Sequence, residues 1–161
     1  MGAEPELYRA HRMLARFLEG KRGATQLDLI LALRPRDEDY PSVFLDAIAD
    51  RVQAAYAPFW DALEPWPISP EQTLIKVAVA TAHDFVEGSA AADEFPGGYR
   101  DIAAFLRPGR PWICWQFVKP GESEGLLFDG LVAIGERWAW FPKPFRVLPG
   151  SRPNPLEYWA E

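Results

Sequence analysis

The chain has 161 residues, 48% hydrophobic and 25% charged, enough for one domain with a substantial core and cramped for two. A formal net charge of −6 and a pI near 5.0, with Lys and Arg scattered, supply no basic field, so neither nucleic acid nor membrane is an expected partner. The single cysteine, Cys114, excludes an internal disulfide and cysteine-rich zinc sites, and two distant histidines form no paired-ligand motif, so no metal or cofactor is expected.

Glu4 and Glu6 stand where a signal peptide would be basic, and no following apolar run is long enough to span a bilayer, which reads as a cytoplasmic protein. Gly2 is not a myristoylation site, because position 6 is Glu. Leu7, Tyr8, His11, Met13, Leu14, Phe17 and Leu18 recur at helical spacing and predict a first helix that Gly20 ends, with His11 at its packing boundary. Thr25 reads as the N-cap of a second helix through Leu27, Ile30, Leu31 and Leu33, stopped by Pro35. From Pro41, the positions Val43, Phe44, Ile48, Val52, Ala55, Tyr56 and Phe59 predict a third helix running to Pro58 or Leu63. The proline-rich residues 63–70 form a stiff connector.

Residues 73–85 put Ile75, Val77, Val79, Thr81, His83 and Phe85 on one parity, which predicts a strand, with the intervening alanines leaving helix as the alternative. Residues 88–98 are a loop, and Tyr99, Ile102, Ala103 and Leu106 suggest a short helix stopped by Pro108-Gly109. Residues 111–145 then read as three strands. Residues 112–118 are β-branched and aromatic, 119–123 are turn chemistry, 126–134 resume the strand pattern, and Gly135-Glu136 suits a type II′ hairpin into 137–141. The expected fold is α+β: N-terminal helices packed on a curved antiparallel sheet of about four strands, in the order helix-helix-helix-strand-helix-strand-strand-strand. Residues 1–148 form one domain. The tail, residues 149–161, holds three prolines and no period; it is either disordered or an extended arm, and Tyr158 and Trp159 argue for docking.

Hairpin arithmetic gives the candidate site. A turn at Gly135-Glu136 sets Ile134 opposite Arg137 and Ala133 opposite Trp138, and pairing Val118 with Gly125 sets Cys114 opposite Asp129. One face then carries Trp112, Cys114, Gln116, Asp129, Trp138 and Trp140, a set with the character of a small-molecule pocket. The other face, with Ile113, Trp115, Phe117, Phe128, Val132, Ile134 and Phe141, is plain core. Asp129 is a candidate general acid or base; alternatively Asp129-Gly130 is a bulge whose carboxylate binds nearby backbone amides. His83 is a candidate base reaching Asp129 across the sheet, or a hydrogen-bonded structural histidine. Cys114, in a central strand away from helix N-termini and cations, is expected to be an inert core thiol. Pro96-Gly97-Gly98 lacks the Lys-Ser/Thr pair of a phosphate loop and reads as a bend.

The element order, with the segments Asp39-Tyr40-Pro41-Ser42-Val43-Phe44, Glu94-Phe95-Pro96-Gly97-Gly98-Tyr99-Arg100, Lys119-Pro120-Gly121-Glu122, Asp129-Gly130-Leu131-Val132 and Trp138-Ala139-Trp140-Phe141-Pro142-Lys143-Pro144, resembles the nuclear-transport-factor-like and SnoaL-like superfamily. The resemblance includes small bacterial proteins of that type and covers most of residues 5–146. It implies a cone-shaped domain and, in many members, a homodimer. Its members include isomerases, dehydratases, polyketide cyclases, transport factors and immunity proteins, so the fold alone selects no chemistry. The first functional expectation is a binding or accessory domain, taking a small molecule or protein at the cone mouth or open sheet face. The alternatives are a cofactor-independent lyase or isomerase acting on a small apolar carbonyl or hydroxyl compound, and an acidic immunity-type protein that binds a toxin.

Overall fold

The computed structural model describes residues 3–19 and 23–148. In chain order it contains helix α1 (Ala3–Ala15) with a 3-10 turn at Arg16–Leu18, α2 (Gly23–Leu31), α3 (Asp39–Val43), α4 (Asp46–Asp61), strand β1 (Leu74–Ala80) and α5 (Ala82–Glu87). A 3-10 turn at Ala92–Glu94 precedes α6 (Gly98–Ile102), and another follows at Ala103–Phe105. Strands β2 (Trp112–Val118), β3 (Leu127–Ile134) and β4 (Arg137–Trp140) come next, then a last turn at Pro144–Arg146. The strands form one antiparallel sheet in the order β1-β2-β3-β4. This is the expected α+β class with helices ahead of the strands. The tail at 149–161, and with it the expectation of docking or disorder there, lies outside the described residues.

Several local expectations are corrected. Thr25 falls within α2 rather than capping it. The third helix is two, because Phe44 is extended (φ −112°, ψ 153°) and bridges Leu106. Leu45 N–H donates to the Phe105 carbonyl at 2.9 Å and Arg107 N–H to the Val43 carbonyl at 2.8 Å, so pairing with another segment replaces helix continuation. Pro58 sits inside α4 and does not end it.

The strand expected over 73–85 stops at Ala80. Thr81 is an extended N-cap, and the Asp84 carboxylate three residues on accepts its N–H at 2.9 Å and the Ser89 hydroxyl at 3.1 Å. The bond from the Thr81 amide is the main reason that the Asp84 carboxyl lies below its usual range. Such a box starts a helix, so α5 begins here and takes His83 with it.

The three-strand unit follows its expected turns. Ile134 pairs with Arg137 across Gly135-Glu136, and Gly135 has φ +62° while Glu136 is not in the positive-φ region, as a type II′ turn requires. Cys114 pairs with Asp129, Trp115 with Phe128 and Gln116 with Leu127.

The register then shifts. Ile113 pairs with Leu131, not with Gly130, so Gly130 is a bulged residue at φ +98°. The extra residue reverses the parity of all that follows in β3 and β4. Trp112, Cys114, Gln116 and Asp129 therefore share a face with Val132, Ala139 and Phe141. Trp138 and Trp140 lie on the opposite face with Ile113, Trp115, Phe117, Phe128, Leu131 and Ala133.

Ring contacts agree with this division. Trp112 packs against Tyr99, Phe44 and Phe141. On the other face Trp66 stacks on Phe17 at 4.3 Å and touches Trp115, Phe128 and Trp140. The face expected to be hollow beside Asp129 is covered by α6 and the flanking aromatics. The β4 edge is covered too: Trp140 N–H donates to the Leu33 carbonyl at 2.8 Å, and α4 straddles the edge with Tyr56 near Phe141 and Trp60 near Trp140.

A bidentate ion pair ties the hairpin to α3. The Arg137 guanidinium donates to both oxygens of buried Asp39, at 2.6 and 2.8 Å, and the Arg36 amide donates to the same carboxylate at 2.8 Å. Burial opposes ionisation of Asp39, but these hydrogen bonds outweigh it and hold the carboxyl below its usual range.

Two stability predictions follow from these constraints. A Cβ at Gly130 would lie 2.1 Å from the Phe141 carbonyl oxygen at a positive φ, whereas one at Gly97 meets nothing within 4 Å. Gly130→Ala should therefore cost about 2–4 kcal/mol in urea unfolding, and Gly97→Ala should be neutral or stabilise by up to about 1 kcal/mol. Asp39→Asn should cost about 2 kcal/mol at pH 7, discounted for the partly exposed Arg137. Because the folded pKa of Asp39 is depressed, its stabilisation is full above about pH 4 and is lost as pH falls through the folded value. The wild-type and Asp39→Asn stabilities should converge in acid.

Candidate functional site

Asp129, which the sequence singled out, lies at the centre of a hydrogen-bond network formed with Tyr99 and Lys143. The side chain is about 1% exposed. Its Oδ1 accepts the Tyr99 hydroxyl at 2.6 Å and the Lys143 backbone N–H at 2.9 Å, and its Oδ2 faces Lys143 Nζ at 3.2 Å. Its own carbonyl accepts Trp140 Nε1–H at 2.8 Å. The backbone amide bond was the bulge alternative of the sequence reading; the Tyr99 and Lys143 side chains are additional partners.

Each partner is placed by a local device. Tyr99 is on α6, and Gly98 lets that helix approach the turn after β4, since a Cβ there would stand 2.3 Å from the Phe145 ring. Lys143 lies between Pro142 and Pro144 in the left-handed region at φ 45°, ψ 60°, where the carboxylate takes its amide. Burial, and then the charge of Asp129, push the Tyr99 hydroxyl well above its usual pKa, so it stays a proton donor to the carboxylate.

The other candidates separate. His83 is exposed on α5, and the hydrogen-bond partners of the Asp129 carboxylate are Tyr99 and Lys143, so the expected His83–Asp129 pairing is not formed. Trp112 is fully buried core. Cys114 is buried with Sγ 3.3 Å from the Glu94 carbonyl, and burial, with the charges of Asp129 and Glu94, pushes its thiol up, which makes it a poor nucleophile. Gln116 accepts the Gly125 N–H at 2.7 Å and holds the first turn. Cys114 and Gln116 border a recess of only about 120 Å³ with Lys76, Glu94 and Leu127.

Trp138 and Trp140 line two larger recesses, neither of which Asp129 borders itself, although its partners Trp140 and Lys143 line one of them. Trp140 forms a wall of a groove of about 710 Å³ with Tyr56, Pro58, Phe59, Pro142 and Val147, and Lys143 and Arg146 supply its cations. Trp138 borders a cleft of about 640 Å³ with Arg9, Arg12, Arg16 and the Gly135-Glu136 turn.

The sequence reading missed Tyr99, Lys143 and Arg146. Lys143 alone carried a signal, since a residue between two prolines has a restricted backbone. Among the described residues, no group of three His, Cys, Asp or Glu side chains is placed to hold a metal ion, and no helix is long and apolar enough to cross a membrane.

The network makes two predictions. Lys143→Ala keeps the left-handed strain and loses the ion pair, whereas Lys143→Gly loses the pair but relieves strain of about 1–2 kcal/mol. The Gly variant should therefore be the more stable of the two in thermal unfolding. Because the Tyr99 pKa is raised on folding, its contribution is full below about pH 10 and is lost as pH rises above the unfolded value. Tyr99→Phe should lower stability at pH 7 by about 1–3 kcal/mol and flatten its fall above pH 10.

In comparisons with known proteins, the chain matches no protein-family model, no curated protein and no solved structure.

Proposed function

We propose that this chain is a binding domain whose ligand is a small amphipathic anion, an apolar body carrying a carboxylate, held in the groove between α4 and the segment after β4. The observation that carries the reading is the composition of that groove: Phe59, Trp140, Pro142 and Val147 present apolar surface, and the two charged groups at it, Lys143 and Arg146, are both cations. Its volume of about 710 Å³ falls in the usual range of roughly 300–1,000 Å³ for small-molecule sites.

The cations differ in commitment. Lys143 Nζ is shared with Asp129, while Arg146 Nε is buried without a hydrogen-bond partner among the described residues. No carboxylate pairs with Arg146 among the described residues, so a ligand carboxylate in the groove would have this guanidinium as its counter-charge.

The lyase or isomerase alternative is less well supported. It needs a carboxylate and a second titratable group facing one cavity, but Asp129 is already bonded to Tyr99 and Lys143 and borders none of the recesses described above. An immunity-type role rests on the acidic charge and the small size of the chain. Membership of the nuclear-transport-factor-like superfamily is part of the proposal, supported by element order and by the short segments quoted above, and a homodimer and a cytoplasmic location stand with it.

Titration calorimetry with decanoate and 2-naphthoate, against decanol and 2-naphthol, tests the reading. The acids should bind at least tenfold more tightly than the neutral analogues, and Arg146→Ala should remove about 10–100-fold of that affinity, the equivalent of one charged hydrogen bond. Equal binding of acids and neutral analogues, or no binding of either, would overturn it.

A further inference from the structure

Three arginines gather beside the opposite end of β4. Arg9, Arg12 and Arg16 recur at spacings of three and four, so α1 and the turn that continues it present them as one stripe. The stripe faces the β3–β4 hairpin across a cleft of about 640 Å³, whose other wall is Gly135, Glu136 and Trp138.

The three guanidiniums differ in what they already bind. Arg9 is fixed: it donates to the Gly135 carbonyl at 3.0 Å, pairs with Glu6 at 3.3 Å, and lies 5.1 Å from the centroid of the Trp138 ring. Arg12 rests over the Tyr8 ring at 4.7 Å and has no carboxylate partner among the described residues; the same holds for Arg16. Both are exposed at the cleft. Three guanidiniums thus stand with two carboxylates, Glu136 on the cleft wall and Glu6 paired with Arg9, leaving a net positive cluster on a chain whose net charge is −6. Such a local reversal of sign focuses anions into the cleft.

We infer that this cleft binds the phosphate or pyrophosphate group of a small phosphorylated ligand. A guanidinium presents paired N–H donors that match phosphate oxygens, and two uncommitted guanidiniums match a dianion rather than a single carboxylate. Arg9, locked to the hairpin carbonyl, fixes the third charge and ties α1 to the turn. Glu136 disfavours larger polyanions by adding a negative charge to the same wall.

Titration of the full chain with inorganic pyrophosphate, followed by calorimetry and phosphorus NMR at low salt, tests the inference. Saturable one-to-one binding is expected, weakened at least tenfold in Arg12→Gln/Arg16→Gln, whose exposed positions leave the circular dichroism spectrum unchanged. Glu136→Gln should tighten it two- to fivefold. Arg146→Ala, at the other groove, should leave it unaltered; loss of binding there, with the circular dichroism spectrum unchanged, would move the anion to that groove and overturn the cleft assignment. Absence of saturable binding, or equal binding by the Arg12/Arg16 variant, would also overturn it.

Discussion

The Asp129 carboxylate gathers three distant parts of the chain at one point. Tyr99 reaches it from α6, Lys143 returns to it after β4 through both amide and ammonium, and Asp129 itself belongs to the central strand β3. A carboxylate removed from water is strongly disfavoured unless donors surround it, and here three donors do so. The bulge at Gly130 makes the meeting possible. It turns the backbone next to Asp129, and its carbonyl accepts the Phe141 N–H at 2.7 Å, which draws the end of β4 toward the same spot. Closure around Asp129 and the placement of the segment that follows β4 are therefore one event.

The same extra residue apportions the tryptophans. Without it, Trp138 and Trp140 would crowd the face that already holds Trp112, Tyr99 and Phe44. With it they join Trp66, Trp115 and Phe128, where Trp60 and Phe59 of α4 complete the packing. Each face then has its own aromatic layer, and α4 serves both, with Tyr56 against Phe141 and Trp60 against Trp140. Recesses remain where a layer ends at the β4 edge: Trp140 toward α4 and Trp138 toward α1.

Much of this was legible in residue order. Turn chemistry at Gly135-Glu136 and at 119–123 sets the pairing of Ile134 with Arg137 and of Cys114 with Asp129, because a tight turn leaves little freedom in the strands beside it. The α+β class follows from helical spacing giving way to strand spacing. Face assignment beyond Gly130 was not legible by alternation, since one inserted residue reverses parity and a strand glycine signals the bulge without enforcing it. His83 was misplaced for a related reason: the alternation of 73–85 continues through a Thr-Ala-His-Asp sequence that is itself a helix start. Periodicity and capping conflicted there, and the local hydrogen bonds of the cap prevailed. The partners of Asp129 come from residues 30 and 14 positions away, contacts that no local pattern encodes.

A buried carboxylate among aromatics can be either a catalyst or a fastener, and the distinction lies in unused bonding capacity. A general base needs a lone pair facing a space where a proton can arrive, and a pKa environment that lets it accept one. Asp129 has its Oδ1 taken by two donors and its Oδ2 by an ammonium, with Tyr99 itself held protonated by burial and by that charge. Arg146, Arg12 and Arg16 present the opposite case, with donors not yet matched to carboxylates and recesses beside them. Spare capacity in this protein therefore resides in its cations at the β4 edge, and its buried acids, Asp39 and Asp129, serve to hold that edge in place.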